Sequence, residues 1–353
     1  MTVALSAETM EVPADPRAFY ELSLAEQWGD GVPLLPPTDA VVAELLAATP
    51  YAPDHVIGVL PPRNGVATLE LLAINAAMAG VEAAAFPFVV AAIEAILEPE
   101  WNAFGLTTTT SSVFPMLIVD GPSRAELGID HRAGCMGGAA GRGSMTIGRA
   151  VSLALRNIGG QRAGDTSRTV FGQPARFGFC IGEWEERSPW PTLAQRRGFS
   201  VTDDVVHVHG GKGTMPLADI HNDDPRDLLH CIAKSIAYPL ANMYLGNVEN
   251  GEIVLAINPI WADRFVAAFP NVEDLQEYLR DHAWQPIDVW PAANQQILRD
   301  KGRVSVDGRV PLFERPDQII PIVCGGLGSL HAISLPTFGE TSLTTARVQT
   351  AAV

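Results

Sequence analysis

Val113-Phe114-Pro115-Met116-Leu117-Ile118-Val119-Asp120-Gly121-Pro122 is the stretch that decides the fold class. Its apolar run predicts a buried strand over Val113 to Val119, and Asp120-Gly121-Pro122 stops it. Next comes the glycine-rich run Leu127-Gly128-Ile129-Asp130-His131-Arg132-Ala133-Gly134-Cys135-Met136-Gly137-Gly138-Ala139-Ala140-Gly141-Arg142-Gly143-Ser144, and then Met145 to Arg156 with helical periodicity. A buried strand, a glycine-rich loop and an amphipathic helix in that order are the unit of an α/β fold.

Working outward, Thr38 caps a predicted helix through Leu46, a strand over Val56 to Leu60 ends at Pro61-Pro62, and helices follow at Ala67 to Met78 and Pro87 to Leu97. Downstream, strands are expected at Phe177 to Ile181, Val205 to His209, Glu252 to Ile257 and Ile319 to Val323. Helices are expected from the Asn222-Asp223-Asp224-Pro225 cap to Ala237, at Ala262 to Phe269 and at Val272 to His282. The last strand runs into Cys324-Gly325-Gly326-Leu327-Gly328-Ser329-Leu330-His331, so each half ends a buried strand near a glycine-rich loop, without any sequence period. The expectation is an α/β protein of two intimately packed lobes with glycine-rich loops after buried strands. It divides into an N-terminal arm (1–25), a first lobe (26–200), a second lobe (201–345) and a tail (346–353).

Composition narrows the function. The chain has 353 residues, 47% of them apolar and 18% charged, and its 24 Lys+Arg against 40 Asp+Glu give a net charge of −16. That argues against disorder, against a nucleic-acid partner and against an anionic membrane surface. Neither a signal peptide nor a membrane span is read, so a cytoplasmic protein is expected. The four cysteines form neither a CxxC pair nor a zinc-ribbon spacing. The many Ala and Gly residues suit subunit packing, and a homo-oligomer is expected.

Cys135 leads the candidate chemistry. Glycines ahead of a helix expose backbone N–H groups to a thiolate or a ligand anion, and Arg142 or Arg149 would add positive charge. The alternative is a buried structural thiol. Glu183 and Glu185, beside Glu186 and between Trp184 and Trp190, offer a carboxyl group that packing against indoles keeps protonated; a solvated acidic turn is the plainer reading. His207 and His209 alternate on a strand and with His221 would make a metal triad, although no HExxH-type spacing is present. After the last strand, His331 and Ser329 lie where ligand loops of open α/β sheets lie, and Cys324 reads as that strand's buried end. The loops match neither a dinucleotide fingerprint nor a phosphate loop, and no cofactor is expected unless the histidines hold a metal.

Trp28-Gly29-Asp30-Gly31 with Pro36-Pro37-Thr38, Asn75, Gly134-Cys135 with Thr146-Ile147-Gly148-Arg149, Glu183 to Trp190, Cys324 to His331 and Pro336-Thr337-Phe338-Gly339 together carry a resemblance. In these residues the chain resembles a bacterial family related to the UGSC-like proteins. Their Sec/Cys-Gly-Ser-Cys motif is absent here, since Met136-Gly137-Gly138 follows Cys135. The resemblance implies an enzyme without naming its substrate, and the missing motif points to one cysteine nucleophile rather than two-thiol redox chemistry. The resulting expectation is a cysteine-dependent lyase or hydrolase acting at an activated carbon–heteroatom bond. Cys135 is its nucleophile, Glu183, Glu185 or His331 moves protons, and Arg132, Arg142, Arg149, Trp184, Trp190 and Ser329 bind a small, anionic substrate. The alternatives are a metal-assisted hydrolase or hydratase using His207, His209 and His221, and a non-catalytic small-ligand-binding protein.

Overall fold

The computed structural model describes residues 5–137, 141–244, 251–328 and 332–351. Its helices are α1 (Pro16–Ala25), α2 (Asp39–Ala47), α3 (Leu69–Ala79), α4 (Phe86–Leu97), α5 (Ala103–Thr108), α6 (Arg142–Asn157), α7 (Leu193–Arg196), α8 (Pro225–Ile236), α9 (Pro259–Ala268), α10 (Val272–His282) and α11 (Ala292–Asp300). Its strands are β1 (Val56–Leu60), β2 (Gly65–Thr68), β3 (Phe114–Asp120), β4 (Cys180–Gly182), β5 (Val205–Gly211), β6 (Met215–Leu217), β7 (Ile253–Ile257), β8 (Trp284–Pro286), β9 (Arg309–Pro311), β10 (Ile319–Val323), β11 (Ala332–Pro336) and β12 (Thr344–Arg347). No described helix is long and apolar enough to cross a membrane.

Local chemistry explains the helix boundaries. Thr38 accepts the Val41 N–H at the start of α2, Asp224 accepts the Arg226 N–H at 2.7 Å with Pro225 opening α8, and Asn258 accepts the Trp261 N–H at 2.8 Å ahead of α9. Gly80 closes α3 in the left-handed region with φ +83°.

Two mixed four-stranded sheets make up the body, in the orders β12-β5-β3-β4 and β10-β7-β11-β6. Each contains one parallel pair, β3 with β4 and β7 with β10, and in each the next strand of the chain returns antiparallel to the central one, β5 to β3 and β11 to β7. The fourth strands are exchanged. β6, which follows β5, pairs with β11 of the second sheet, and β12, which follows β11, pairs with β5 of the first. Val205–Gly211, placed by sequence at the start of the second lobe, is therefore an inner strand of the first sheet.

Strand alternation sorts the side chains into layers. Leu117, Val119, Val206 and Val208 share a core with α3, α4 and α6, while Ile253, Leu255, Ile257 and Ile319 share one with α8, α9 and α10. The opposite faces meet: Phe114, Met116, Ile118 and Ile181 pack with Val254, Ala256, Ile320, Ile322 and Leu335 in a third core between the sheets. The layers run helix, sheet, sheet, helix, and each buried Ile or Phe of the middle core contributes about 1.5–3 kcal/mol. Cys135 and Cys324 belong to this middle core.

Candidate active site

The parallel strands β4 and β10 end at the same place. Glu183, the residue after β4, donates its N–H to Val119 O at 3.1 Å, and Cys324, the residue after β10, donates its N–H to Ile257 O at 3.1 Å. The two residues are topological counterparts. The ends are stitched together by Trp184 N–H to Val323 O at 2.6 Å and by the Glu183 carboxyl, which accepts N–H groups from Leu193 at 2.8 Å and Val323 at 3.4 Å. Ligand sites of α/β sheets form at such strand ends.

The loop carrying Cys135 closes over this junction. Gly325 donates its N–H to His131 O at 3.0 Å, and Cys135 donates its own to Arg132 O at 3.1 Å. The thiols of Cys135 and Cys324 meet in hydrogen-bonding contact, and neither is in a disulfide. With the Cys324 S–H donating to its sulfur, Cys135 ionises more readily than an ordinary thiol; burial and the Asp130 carboxylate work against this, and the N–H groups of Cys135 and Gly325 work for it. Cys324 is pushed the other way, first by that same bond and then by burial. Two adjacent buried thiols do not both ionise readily, and of this pair Cys135 is the one whose ionised form is favoured.

Glu183 is 1% exposed. Burial, reinforced by the neighbouring Asp120 charge, pushes its carboxyl well above the usual range, while Arg196 and the Leu193 and Val323 N–H groups work against this. A raised carboxyl contributes stability that is fully present below its unfolded value of about 4.3 and is lost as pH rises toward the folded one. Unfolding free energy measured against pH is therefore expected to decline above that value more steeply in the native chain than in Glu183→Gln; parallel profiles would show that the carboxyl ionises normally.

His131 donates from Nδ1 to Ile129 O at 3.0 Å, which leaves Nε2 with its lone pair, and burial lowers its pKa so the ring stays neutral. Its ring meets Trp184 edge-on at 6.1 Å between centroids, and Arg132, exposed, lies 5.3 Å from the Trp184 ring centre. Arg124, buried behind the strand ends, bonds Glu183 O at 2.9 Å, Gly121 O at 2.6 Å, Glu186 at 2.6 Å and Glu185 at 2.8 Å. Neither Arg124 nor the thiol partnership of Cys324 was read from sequence.

The structure disposes the other expected residues differently. Glu185 is clamped by Arg124 and by the Gly121 N–H at 2.6 Å, and Trp190 is a core residue whose indole N–H bonds Phe269 O at 3.1 Å. Arg149 is spent on Asp30 at 2.8 Å and on the carbonyls of Val32 and Pro33, and Arg142 pairs with Glu82. The α6 N-terminus, expected to favour the thiolate, instead donates the Gly141 N–H to Asp130 at 2.8 Å. His207 faces Asp120 at 3.4 Å and Thr345 at 2.8 Å, His209 faces Glu252 at 2.7 Å, and His221 sits on an exposed turn. The three histidines do not converge, and among the described residues no group of three or more His, Cys, Asp or Glu is placed to hold a metal. Ser329 and His331 lie outside the described residues.

The chain matches no family model, no curated protein and no solved structure. Its functional reading therefore rests on this geometry.

Proposed function

We propose that the chain is a small-molecule enzyme, a lyase or hydrolase, in which the Cys135 thiolate attacks an activated carbon bearing a heteroatom. The two sheets with their helices act as two lobes, and the site lies where their strand ends meet. Attack forms a carbon–sulfur bond and breaks the carbon–heteroatom bond, the leaving heteroatom taking the electron pair and the Cys324 proton; water then adds to that carbon as the carbon–sulfur bond breaks, its proton returns to Cys324, and Cys135 leaves as the thiolate. Glu183, whose burial favours its protonated form, and His131, whose Nδ1 donates to Ile129 O, serve as further proton carriers, and Arg132 over Trp184 receives an anionic part of the substrate.

One observation carries this reading: Cys135, buried on a glycine-rich loop that the Gly325 N–H ties to the end of β10, shares the middle core with a second thiol, Cys324, and this setting favours its ionised form. The test is pH-dependent labelling by iodoacetamide with peptide mapping, using the exposed Cys231 as the internal reference. Cys135 is expected to label with an apparent pKa below the ordinary thiol value of about 8.5. A Cys135 that titrates at or above the reference would sink the reading and leave a ligand-binding protein in its place.

A further inference from the structure

We propose that Cys135 and Cys324 are a redox site for a hydroperoxide, closing into a reversible disulfide that joins the two glycine-rich loops. The inference rests on the thiolate–thiol pair invoked above, but not on any carbon–heteroatom chemistry.

The two cysteines come from separate loops and share the buried middle core, and the residues around them hold those loops in register. Gly325 N–H bonds His131 O at 3.0 Å, and a Cβ on Gly326 would lie 3.1 Å from the Ala133 Cβ. A disulfide of about 2.05 Å needs only a further approach of sulfurs in hydrogen-bonding contact. The flanking backbone can supply it: Gly134 and Gly325 have φ of +78° and +95°, and a Cβ at either would meet open space. Cys180, 4% exposed on β4, is paired with neither sulfur, and Cys231 lies exposed on α8. The partner of Cys135 is thus set by the fold.

The chemistry balances in three steps. The Cys135 thiolate attacks one oxygen of the hydroperoxide, the O–O bond breaks, and the other oxygen leaves with the electron pair and takes a proton as an alcohol or water; Cys135 becomes a sulfenic acid. The Cys324 sulfur then attacks the Cys135 sulfur, and the sulfenic oxygen leaves as water carrying the Cys324 proton. A dithiol reductant returns both thiols and is itself oxidised to a disulfide. With Cys324 held beside it, Cys135 is diverted from the irreversible sulfinic state. In the disulfide neither sulfur is a nucleophile, so oxidation switches the site off.

The experiment treats the native chain with hydrogen peroxide, follows intact mass and maps peptides without reduction. The expected result is a loss of two hydrogens, a linked pair of peptides containing Cys135 and Cys324, loss of iodoacetamide labelling at Cys135, and recovery of all three with dithiothreitol. In Cys324→Ser, dimedone should trap a sulfenic acid at Cys135 that the native chain does not accumulate. Cys231→Ser should leave the linked peptides unchanged. Oxidation of native Cys135 to sulfinic acid with Cys324 intact, a link to Cys231, or no reaction at either sulfur would each overturn the proposal. The two readings separate cleanly: low-pKa alkylation without the linked peptides removes only the redox site, while linked peptides with ordinary alkylation remove only the proposed catalysis.

Discussion

Arg124→Ala is expected to lower the unfolding free energy by about 3–5 kcal/mol, the range for breaking one side of a buried ion pair. The guanidinium is 2% exposed and serves two carbonyls, Gly121 O and Glu183 O, together with the carboxylates of Glu185 and Glu186. Alanine would leave those carbonyls facing each other and Glu185 with only the Gly121 N–H to balance it. Each abandoned buried acceptor costs about 1–3 kcal/mol. Arg142→Ala is the control, because the ion pair to Glu82 is half exposed on both sides and such pairs are worth about 0–1 kcal/mol. Urea unfolding of both variants at neutral pH decides the matter. Equal losses would mean that Arg124 is not the clamp that holds the strand ends together.

Cys324→Ala is expected to slow alkylation of Cys135 roughly 10- to 100-fold at pH values where an ordinary thiol is protonated, because hydrogen bonds to charged groups are worth about 1.5–3 kcal/mol. Alanine removes the S–H that donates to the Cys135 sulfur but leaves the Cys135 and Gly325 N–H groups in place. Cys324→Ser restores a donor at the same position and should recover much of the rate. Rates taken across pH separate the two explanations: a lost donor moves the titration curve, whereas a changed access path moves only its plateau. An unshifted curve in Cys324→Ala would show that Cys324 does not stabilise the thiolate.

Local signals in the sequence were read well where they were dense. Val56–Leu60, Ile319–Val323 and Val272–His282 lie where their apolar runs and caps put them, because burial and capping there act within one element. The short and edge elements escaped, α1, β11 and β12 among them. α1 starts at Asp15-Pro16, a cap and first-turn proline hidden in a stretch that otherwise reads as a loose arm. β11 and β12 are short, and Thr344–Arg347 shows no apolar alternation because it is an edge strand that lies on α4 and β5. The repeated strand order was invisible as well, since it resides in connections and not in residues. In the candidate site, the positions of Cys135 and Glu183 beside buried strand ends were legible from their loops. Their surroundings were not: Asp30 and Glu82 claim the arginines assigned to substrate, and Cys324 reaches Cys135 only through the meeting of two sheets.

The exchange of fourth strands constrains the order in which a ribosome can deliver this molecule. β5 is finished at Gly211, yet the strand that covers its outer edge, Thr344–Arg347, is translated after every other described strand, and β6 waits for Ala332–Pro336. At about 5–20 residues per second, Cys135 emerges roughly 10–40 s before Cys324 exists to meet it. During that interval Cys135 lacks its thiol neighbour, and β5 presents an open edge to any other nascent chain. Newborn copies are therefore the ones most exposed to stray pairing and to oxidation, and the two thiols can first meet only after Cys324 has been made.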